Sequence, residues 1–397
     1  MLNEIYFQIL DFVKRLIIKY LLIKTVWMML FSAFIILSTG CIKQFIPETS
    51  LDQDLLVVEG LITDKPGNNA IKLSTSMPLG IKSSAKPLSG CNVNISDDLG
   101  NLYSLNESAP GTYVPDSLFQ GIVGRSYSLH VKTNSAHHNL SYQSLPVLMK
   151  PVPPIDSVYY ERVVLARGDD GSPTGEGCQI YLNTHDPQNS CRFYRWEFVE
   201  TWQFSLPYIV SNKVCWVSSN SDKISIKNTT SLSDDKVVGF PINLVTNATD
   251  RLLFKYSILV NQYSLNENEY EYWEKMQNVF EQVGSLYDMT PASIPSNITC
   301  IEKPSENVMG YFSVSAIKSK RIFITEKFRG MPDLYYNCQN KSVGYNDYIP
   351  GLNTTIWVII DHPQPPPGYK ILSYFRGCAD CTDRGTIIKP DFWDDSK

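Results

Sequence analysis

Two cysteines near the C-terminus form the sharpest local motif in the sequence. Cys378-Ala379-Asp380-Cys381 has the C-x2-C spacing found in zinc sites and in thiol–disulfide oxidoreductases. A zinc ribbon needs a second close pair to complete four tetrahedral ligands, and the sequence has no other C-x2-C. A redox pair lies at a helix N-terminus after a βαβ pattern, and that context is also missing. We therefore interpret the motif as part of a disulfide framework.

The other cysteines favour the same interpretation. The chain has nine cysteines, and eight remain if Cys41 carries a lipid, as argued below; an even number is typical of disulfides outside the cytoplasm. Only close neighbours allow a pairing to be predicted: Cys178 with Cys191 across a short loop, and Cys378 with Cys381 unless each has a distant partner. The candidate disulfide cysteines are Cys178, Cys191, Cys215, Cys338, Cys378 and Cys381.

Other signatures of catalysis are missing from the sequence. Its five histidines do not form H-E-x-x-H, and neither a G-x-S-x-G elbow nor a G-x-x-x-x-G-K-[ST] loop occurs. Arg167-Gly168-Asp169-Asp170-Gly171 contains an RGD tripeptide, for which adhesion and calcium binding are the alternatives to the plain turn that its composition favours. We expect no catalytic residue, no metal and no cofactor.

Aromatic residues are the best candidates for contact with a ligand or partner, because they combine an apolar face with a polar tip. Trp196 and Trp202 alternate within a predicted strand, next to Arg195 and Glu197, and this spacing favours a place in a β core. The C-terminal loops contain four candidate contact residues, Tyr335, Tyr336, Tyr345 and Tyr348.

The first forty residues have the organisation of a secretory signal. Basic residues precede an uncharged apolar run of about a dozen residues, Val26 to Leu37, whereas a membrane-spanning helix needs about 20. Ser38-Thr39-Gly40-Cys41 resembles the bacterial lipobox, although Ser38 stands where Leu is usual. We expect a lipoprotein signal peptide at 1–40, a tether at 41–54 and a membrane anchor on Cys41. The alternative is an ordinary signal peptide or anchor helix with an incidental cysteine.

Composition and charge exclude several classes of protein. The 397 residues are 43% hydrophobic and 12% aromatic, which excludes a disordered chain. With 35 basic and 40 acidic residues the net charge is -5, and no basic cluster offers a surface for a phosphate backbone. We therefore expect no nucleic acid partner.

Strand and turn patterns recur along the mature sequence, which predicts a mainly β fold. Between 55 and 150, alternating segments such as Tyr127 to Val131 are bounded by Pro, Gly, Asn and Asp, as half-buried antiparallel strands require. This stretch predicts an N-terminal β-sandwich of immunoglobulin-like or transthyretin-like kind. The successive prolines at 151–156 predict a linker, because proline lacks the donor that a central ladder needs.

A larger β-rich domain is predicted at 157–397, interrupted by one amphipathic helix at about 265–283. Ser264 to Glu267, or alternatively Asn266 to Glu269, fits a capping box at the start of this helix. We expect its apolar stripe to pack against a sheet rather than to face a ligand. The cysteine-containing C-terminal tail is expected to be stapled to this domain. The stripe consists of Trp273, Met276, Phe280 and Val283.

Short segments spread along the mature chain carry a resemblance that none of them carries alone. They are Leu56-Val57-Val58-Glu59-Gly60, Phe119-Gln120-Gly121 with Gly124 and Tyr127, Pro153-Pro154-Ile155-Asp156-Ser157, Tyr194-Arg195-Trp196-Glu197, Cys215-Trp216, Gly310-Tyr311-Phe312, Arg321-Ile322-Phe323-Ile324 and Cys378-Ala379-Asp380-Cys381. In this order and spacing they resemble the domain-of-unknown-function 4249 family of Bacteroidota outer-membrane lipoproteins. The resemblance implies a surface or periplasm-facing lipoprotein, often encoded beside a TonB-dependent outer-membrane transporter, and it implies no catalytic residues.

These observations predict a non-enzymatic cell-envelope lipoprotein, lipid-anchored at the outer membrane, that assists a TonB-dependent β-barrel transporter by capturing substrate or covering the barrel mouth. The alternative is a structural or adhesive envelope protein in which the N-terminal sandwich is a docking module. A hydrolase would need a carboxylate pair or a Ser/His set that converges in a cleft of the second domain.

Overall fold

The computed structural model describes residues 55–67, 69–76, 85–116, 118–134, 139–167, 171–207, 210–281, 294–335, 338, 340–344, 358–360, 369–373 and 375–394, together with 24 and 27–29. The predicted lipidation site Cys41 and the tether before Leu55 lie outside the described residues. Within the described part of the chain, no helix has both the length and the apolar character needed to cross a membrane. All strands and the site below belong to the compact unit formed by 53–77 and 84–397.

Strands dominate the described residues. In chain order the elements are β1 (Leu56–Thr63), β2 (Ala70–Thr75), β3 (Lys86–Pro87), β4 (Asn92–Asp97), β5 (Leu102–Ala109), β6 (Thr112–Val114), β7 (Ser126–Lys132), β8 (Ser141–Ser144), β9 (Val147–Leu148), β10 (Ile155–Arg167), β11 (Pro173–His185), β12 (Phe193–Ser205), β13 (Val214–Asn220), β14 (Ser225–Asn228), β15 (Lys236–Val245), β16 (Lys255–Ser264), α1 (Glu267–Glu281), β17 (Ile298–Cys300), β18 (Met309–Ser315), β19 (Ile317–Ile324), β20 (Asn340–Gly344), β21 (Val358–Ile360) and β22 (Tyr369–Ser373). The prediction of a mainly β fold is confirmed.

The first sheet has the strand order β17-β8-β7-β4-β5-β6-β2-β1-β18, with β3 on β2 and β9 on β7. Side chains alternate across it, so that Val58, Leu129 and Phe312 are buried in one core. Its last pair, β1 with β18, is parallel, with Val57 opposite Met309. Strands from both sides of the predicted linker at 151–156 therefore share one sheet.

Two further sheets share a second core. They have the orders β10-β11-β15 and β13-β12-β16-β19, with β14 on β12. Ile180 from the first of them packs in one cluster with Trp196 and Ile258 from the second, which is a sandwich-like arrangement. The predicted core position of Trp196 is confirmed: it is 1% exposed, and its indole N–H donates to Gln262 Oε1 at 2.9 Å. The strands β20-β22-β21 form a small separate sheet.

The helix α1 lies within the predicted range, but it begins differently from the prediction. The Ser264 hydroxyl donates to the Lys150 carbonyl at 2.7 Å, and the Glu269 side chain is fully buried. The Ser264 hydroxyl is thus engaged away from the helix end, and neither Glu269 oxygen has a hydrogen-bond partner, so neither predicted capping box forms. The first helical bond runs from the Tyr270 N–H to the Asn266 carbonyl at 2.9 Å.

The C-terminal tail is held by two disulfides. Cys381 pairs with Cys215 on β13 across 166 residues, and Cys378 pairs with Cys338 across 40 residues. Each cysteine of the C-x2-C motif therefore has a distant partner, which was one of the two predicted alternatives. A β-bridge between Trp216 and Thr386 adds backbone bonds, so the tail is stapled to the β12–β13 sheet as expected.

The predicted disulfide between Cys178 and Cys191 is wrong, since both residues are free and buried. Cys191 lies just beyond the end of β11, where its N–H donates to Asp186 Oδ2 at 2.9 Å. Cys178 lies further back on β11, opposite Arg162. A strand rises about 3.3 Å per residue, so the part of β11 after Cys178 spans roughly 20 Å. A disulfide requires Cα atoms about 6 Å apart.

Candidate functional site

A cleft opens beside α1, between the first sheet and strand β12. It consists of two adjoining depressions of about 350 and 370 Å³, within the range of about 300–1,000 Å³ that is typical of small-molecule sites. We call it the α1 cleft. The two depressions share the lining residues Glu59, Arg195, Glu197, Tyr272 and Trp273.

The alternation of β1 places Glu59 in the cleft. Val58 and Gly60 are buried in the first core, so Glu59 between them extends from the opposite face of the sheet. The parallel register sets Tyr311 of β18 beside Glu59, so that the Tyr311 side chain lies on the same face. This register depends on Gly310, which has φ +88° and lies against the backbone of Val58.

Arg195 is the central cation of the cleft. Its Nη1 donates to Glu197 Oε1 at 2.7 Å, and its guanidinium lies 4.4 Å from the ring centre of Trp273 and 4.8 Å from that of Tyr263. The Tyr263 hydroxyl donates to Glu197 Oε2 at 3.1 Å, so both carboxylate oxygens are engaged. Arg195 is 6% exposed, and stacking and ion pairing together keep this charge stable at low exposure.

A second carboxyl group lies behind the wall of the cleft. Glu269, on the first turn of α1, is 0% exposed, and neither of its oxygens has a hydrogen-bond partner. Burial raises the pKa of this carboxyl to about 7, although the Arg195 charge and the nearby Ser313 and Trp273 side chains oppose the shift. Glu269 therefore holds its proton well above the range in which a solvated glutamate loses it.

The aromatic stripe of α1 both packs and lines the cleft. Tyr272, which the predicted stripe omitted, is 8% exposed and lies 4.8 Å from the Tyr311 ring. Trp273 and Met276 are half-buried and line the larger depression, where Phe280 is 64% exposed. Packing against the sheet is thus confirmed for one side of the helix, while the other side borders open space. Val283 lies outside the described residues.

The charges of the smaller depression compensate one another. Its lining contains two acidic side chains, Glu59 and Glu197, and two basic ones, Lys72 and Arg195. Arg195 is paired with Glu197, and Lys72 stands directly opposite Glu59 in the antiparallel register of β1 and β2. In the described part of the chain, no group of three or more His, Cys, Asp or Glu side chains is placed to hold a metal ion. The arrangement suits the binding of an uncharged polar molecule.

The predicted contact tyrosines do not contribute to this cleft where they are described. Tyr335 is half-buried against the cluster around Phe204 and Cys215, and burial raises the pKa of its hydroxyl. Tyr336, Tyr345 and Tyr348 lie outside the described residues. Glu59 was not among the predicted contact residues, although the sequence contains a signal for it: Glu59 is the one charge in the apolar run from Leu55 to Ile62.

The fold and the cleft together define a mainly β protein in which one helix meets two sheets beside a cleft of the size that is typical of small-molecule sites. A family model described as "Domain of unknown function (DUF4249)" matches residues 42–321, and because this is more than half of the chain, the chain belongs to that family. No curated protein matches it. All five residues shared by the two depressions lie inside the matched range, whereas Cys338, Cys378 and Cys381 lie beyond it.

Proposed function

We propose that this chain is a cell-envelope lipoprotein of the outer membrane, anchored through Cys41, that captures a ligand in the α1 cleft for a TonB-dependent transporter and catalyses no reaction. The observation that carries the proposal is the position in the sequence of the residues that line the cleft. Glu59, Tyr311 and the pair Arg195 and Glu197 come from three of the segments in which the chain resembles outer-membrane lipoproteins. The segments are far apart in sequence and meet at one concave surface.

Two further observations support the envelope location. The tail is closed by two disulfides, which persist in oxidising compartments such as the periplasm and the cell surface. The family match begins at residue 42, directly after the cysteine of the lipobox-like sequence. A lipid chain on Cys41 contributes about 0.8 kcal/mol per buried CH2, so two or three chains retain a folded body at a membrane.

Hydrolysis is the second candidate function, because two carboxylates line the cleft. Glu197 is already bonded to Arg195 and to the Tyr263 hydroxyl, which engages both of its oxygens. Glu269 has a pKa near neutrality, as a general acid requires, but none of its surface reaches the cleft. Among the carboxylates of the cleft, Glu59 alone is exposed and forms no hydrogen bond with the residues that the structure describes, and one carboxylate does not supply the acid and base of a hydrolase. We therefore favour binding.

The proposal is tested by solubilising envelopes in a mild detergent and purifying the tagged, full-length chain with its partners. Mass spectrometry is expected to identify a β-barrel transporter of the outer membrane. The matched control is the Cys41→Ser chain, which is expected to leave the membrane fraction and to lose the barrel. Recovery of the wild-type chain without any barrel protein, from envelopes that contain such transporters, would contradict the proposal.

A further inference from the structure

The α1 cleft is polar and aromatic at once, and this combination indicates the class of ligand. Tyr272, Trp273 and Tyr311 supply aromatic surface to the smaller depression, and Leu61 supplies aliphatic surface. Carboxylate and guanidinium groups border the same space. Aromatic and aliphatic surface binds the C–H faces of a ring, while planar charged groups bind hydroxyl groups at its edge.

The charges of the cleft argue against an ionic ligand. Its single deep cation, Arg195, is already neutralised by Glu197 at 2.7 Å. Glu59 stands across from Lys72 on the neighbouring strand. An anionic ligand would have to compete with Glu197 for Arg195, and any ionic ligand would lose its own hydration on entry. An uncharged ligand with many hydroxyl groups avoids both costs.

Hydrogen-bonding capacity remains available at the cleft. The Glu59 side chain forms no hydrogen bond within the described part of the chain, so each of its oxygens can accept from a ligand hydroxyl. Behind the wall, the Trp273 indole N–H, the Arg195 Nε–H and both Glu269 oxygens are buried without partners. These buried atoms are not accessible from the cleft, so the capacity that a ligand can use is that of Glu59.

We infer that the α1 cleft binds a neutral saccharide, with one sugar ring lying against Tyr272 and Trp273 and with its hydroxyl groups donating to Glu59. This inference deepens the proposed function, on which it rests, by naming the class of ligand that is captured. The smaller depression, about 350 Å³, accommodates a single ring, and the adjoining one, about 370 Å³, provides room for a second unit of a longer glycan. No bond in the sugar is made or broken.

The test uses the purified full-length lipoprotein in detergent micelles and a panel of free ligands. The neutral probes are glucose, galactose, mannose, N-acetylglucosamine, maltose and cellobiose; glycylglycine and glutamate represent zwitterionic and acidic ligands. Saturation-transfer NMR detects binding, and calorimetry gives Kd. At least one neutral sugar is expected to bind and to be recovered unchanged, whereas the two charged probes are not expected to bind.

Glu59→Gln tests the site itself, because the residue is exposed and its replacement leaves no buried group unpaired. It removes the charge that strengthens hydrogen bonds from hydroxyl groups, so Kd is expected to rise about tenfold. The matched control is Glu161→Gln on the exposed part of β10, which is expected to leave Kd unchanged. The inference is overturned if no sugar in the panel binds, if only a charged probe binds, or if Glu59→Gln binds sugar as the wild type does.

The outcomes separate this inference from the proposed function. A chain that co-purifies with a barrel transporter and binds no sugar overturns the ligand class alone. A chain that binds sugar with the predicted effect of Glu59→Gln and co-purifies with no barrel overturns the partner and leaves the ligand class standing.

Discussion

The side-chain amide of Asn297 is bonded twice to the backbone of Phe312. Its Nδ2 donates to the Phe312 carbonyl at 2.9 Å, and its Oδ1 accepts from the Phe312 N–H at 2.9 Å. Asn297 directly precedes β17, at one edge of the first sheet, and Phe312 lies in β18, at the other edge. The Asn297 side chain thus supplies the hydrogen bonds that a paired strand would otherwise supply where the edges β17 and β18 of the sheet approach each other. These bonds hold β18 in the position against which α1 packs.

Removal of this amide is expected to destabilise the fold strongly. Asn297→Ala leaves the Phe312 N–H and carbonyl unpaired in a buried position, and the free energy of unfolding is expected to fall by about 2–4 kcal/mol. Urea unfolding followed by tryptophan fluorescence measures the change. Asn278→Ala, at an exposed position of α1, is the matched control and is expected to have little effect. Equal stability of the two variants would show that the two hydrogen bonds between Asn297 and Phe312 do not hold the sheet edges together.

Gly310 is expected to be essential for the parallel pairing of β1 and β18. A Cβ at this position would overlap the Val58 backbone, and φ is +88°. Gly124 has a similar φ of +87°, but a Cβ there meets nothing within 4 Å. Gly124→Ala therefore measures the conformational cost alone, about 1 kcal/mol, and Gly310→Ala is expected to cost at least twice as much. Thermal unfolding compares the two; equal costs would contradict the close approach.

Peptide mapping without reductant tests the disulfides. Cross-links are expected between Cys215 and Cys381 and between Cys338 and Cys378, while Cys91, Cys178, Cys191 and Cys300 are expected as free thiols. Each bridge closes a long loop, so its reduction is expected to lower the free energy of unfolding by about 2–4 kcal/mol. A peptide that links Cys178 to Cys191 would contradict the structure.

Local patterns predicted the strands, the helix and the core position of Trp196, because alternation and helical spacing involve neighbours in sequence. The α1 cleft was not predictable in this way. Glu59 meets Tyr311 only through a parallel pairing of strands some 250 residues apart. The register of this pair depends on contacts between the strands, of Gly310 with Val58 and of Phe312 with Gly60, which neither segment shows alone. The predicted disulfide was wrong because it also relied on neighbours in sequence. Short spacing favoured Cys178 with Cys191, whereas a long strand separates the two residues.

Glu269 is expected to make stability depend on pH. Its pKa in the folded chain is about 7, against an ordinary value of 4.5, so the folded chain keeps a proton that the unfolded chain releases. Its contribution to the free energy of unfolding is therefore fully present below pH 4.5 and is lost as pH rises through 7, a decrease of about 3 kcal/mol.

Glu269→Gln keeps the neutral shape at every pH, so it is expected to remove this decrease and to be more stable than the wild type at pH 8. The matched control is Glu267→Gln, an exposed change on the same turn of α1, which is expected to keep the wild-type pH profile. Urea unfolding at pH 5, 6, 7 and 8 gives the profiles. If the stability of Glu269→Gln depended on pH as that of the wild type does, Glu269 would not be the group that holds the buried proton.

The mass of the N-terminal peptide, isolated from the envelope fraction, tests the anchored-lipoprotein account most directly. The account predicts a mature chain that begins at Cys41 and carries a thioether-linked diacylglycerol, with a further acyl chain on its amino group. A peptide that begins elsewhere, or that contains Cys41 without lipid, would contradict it.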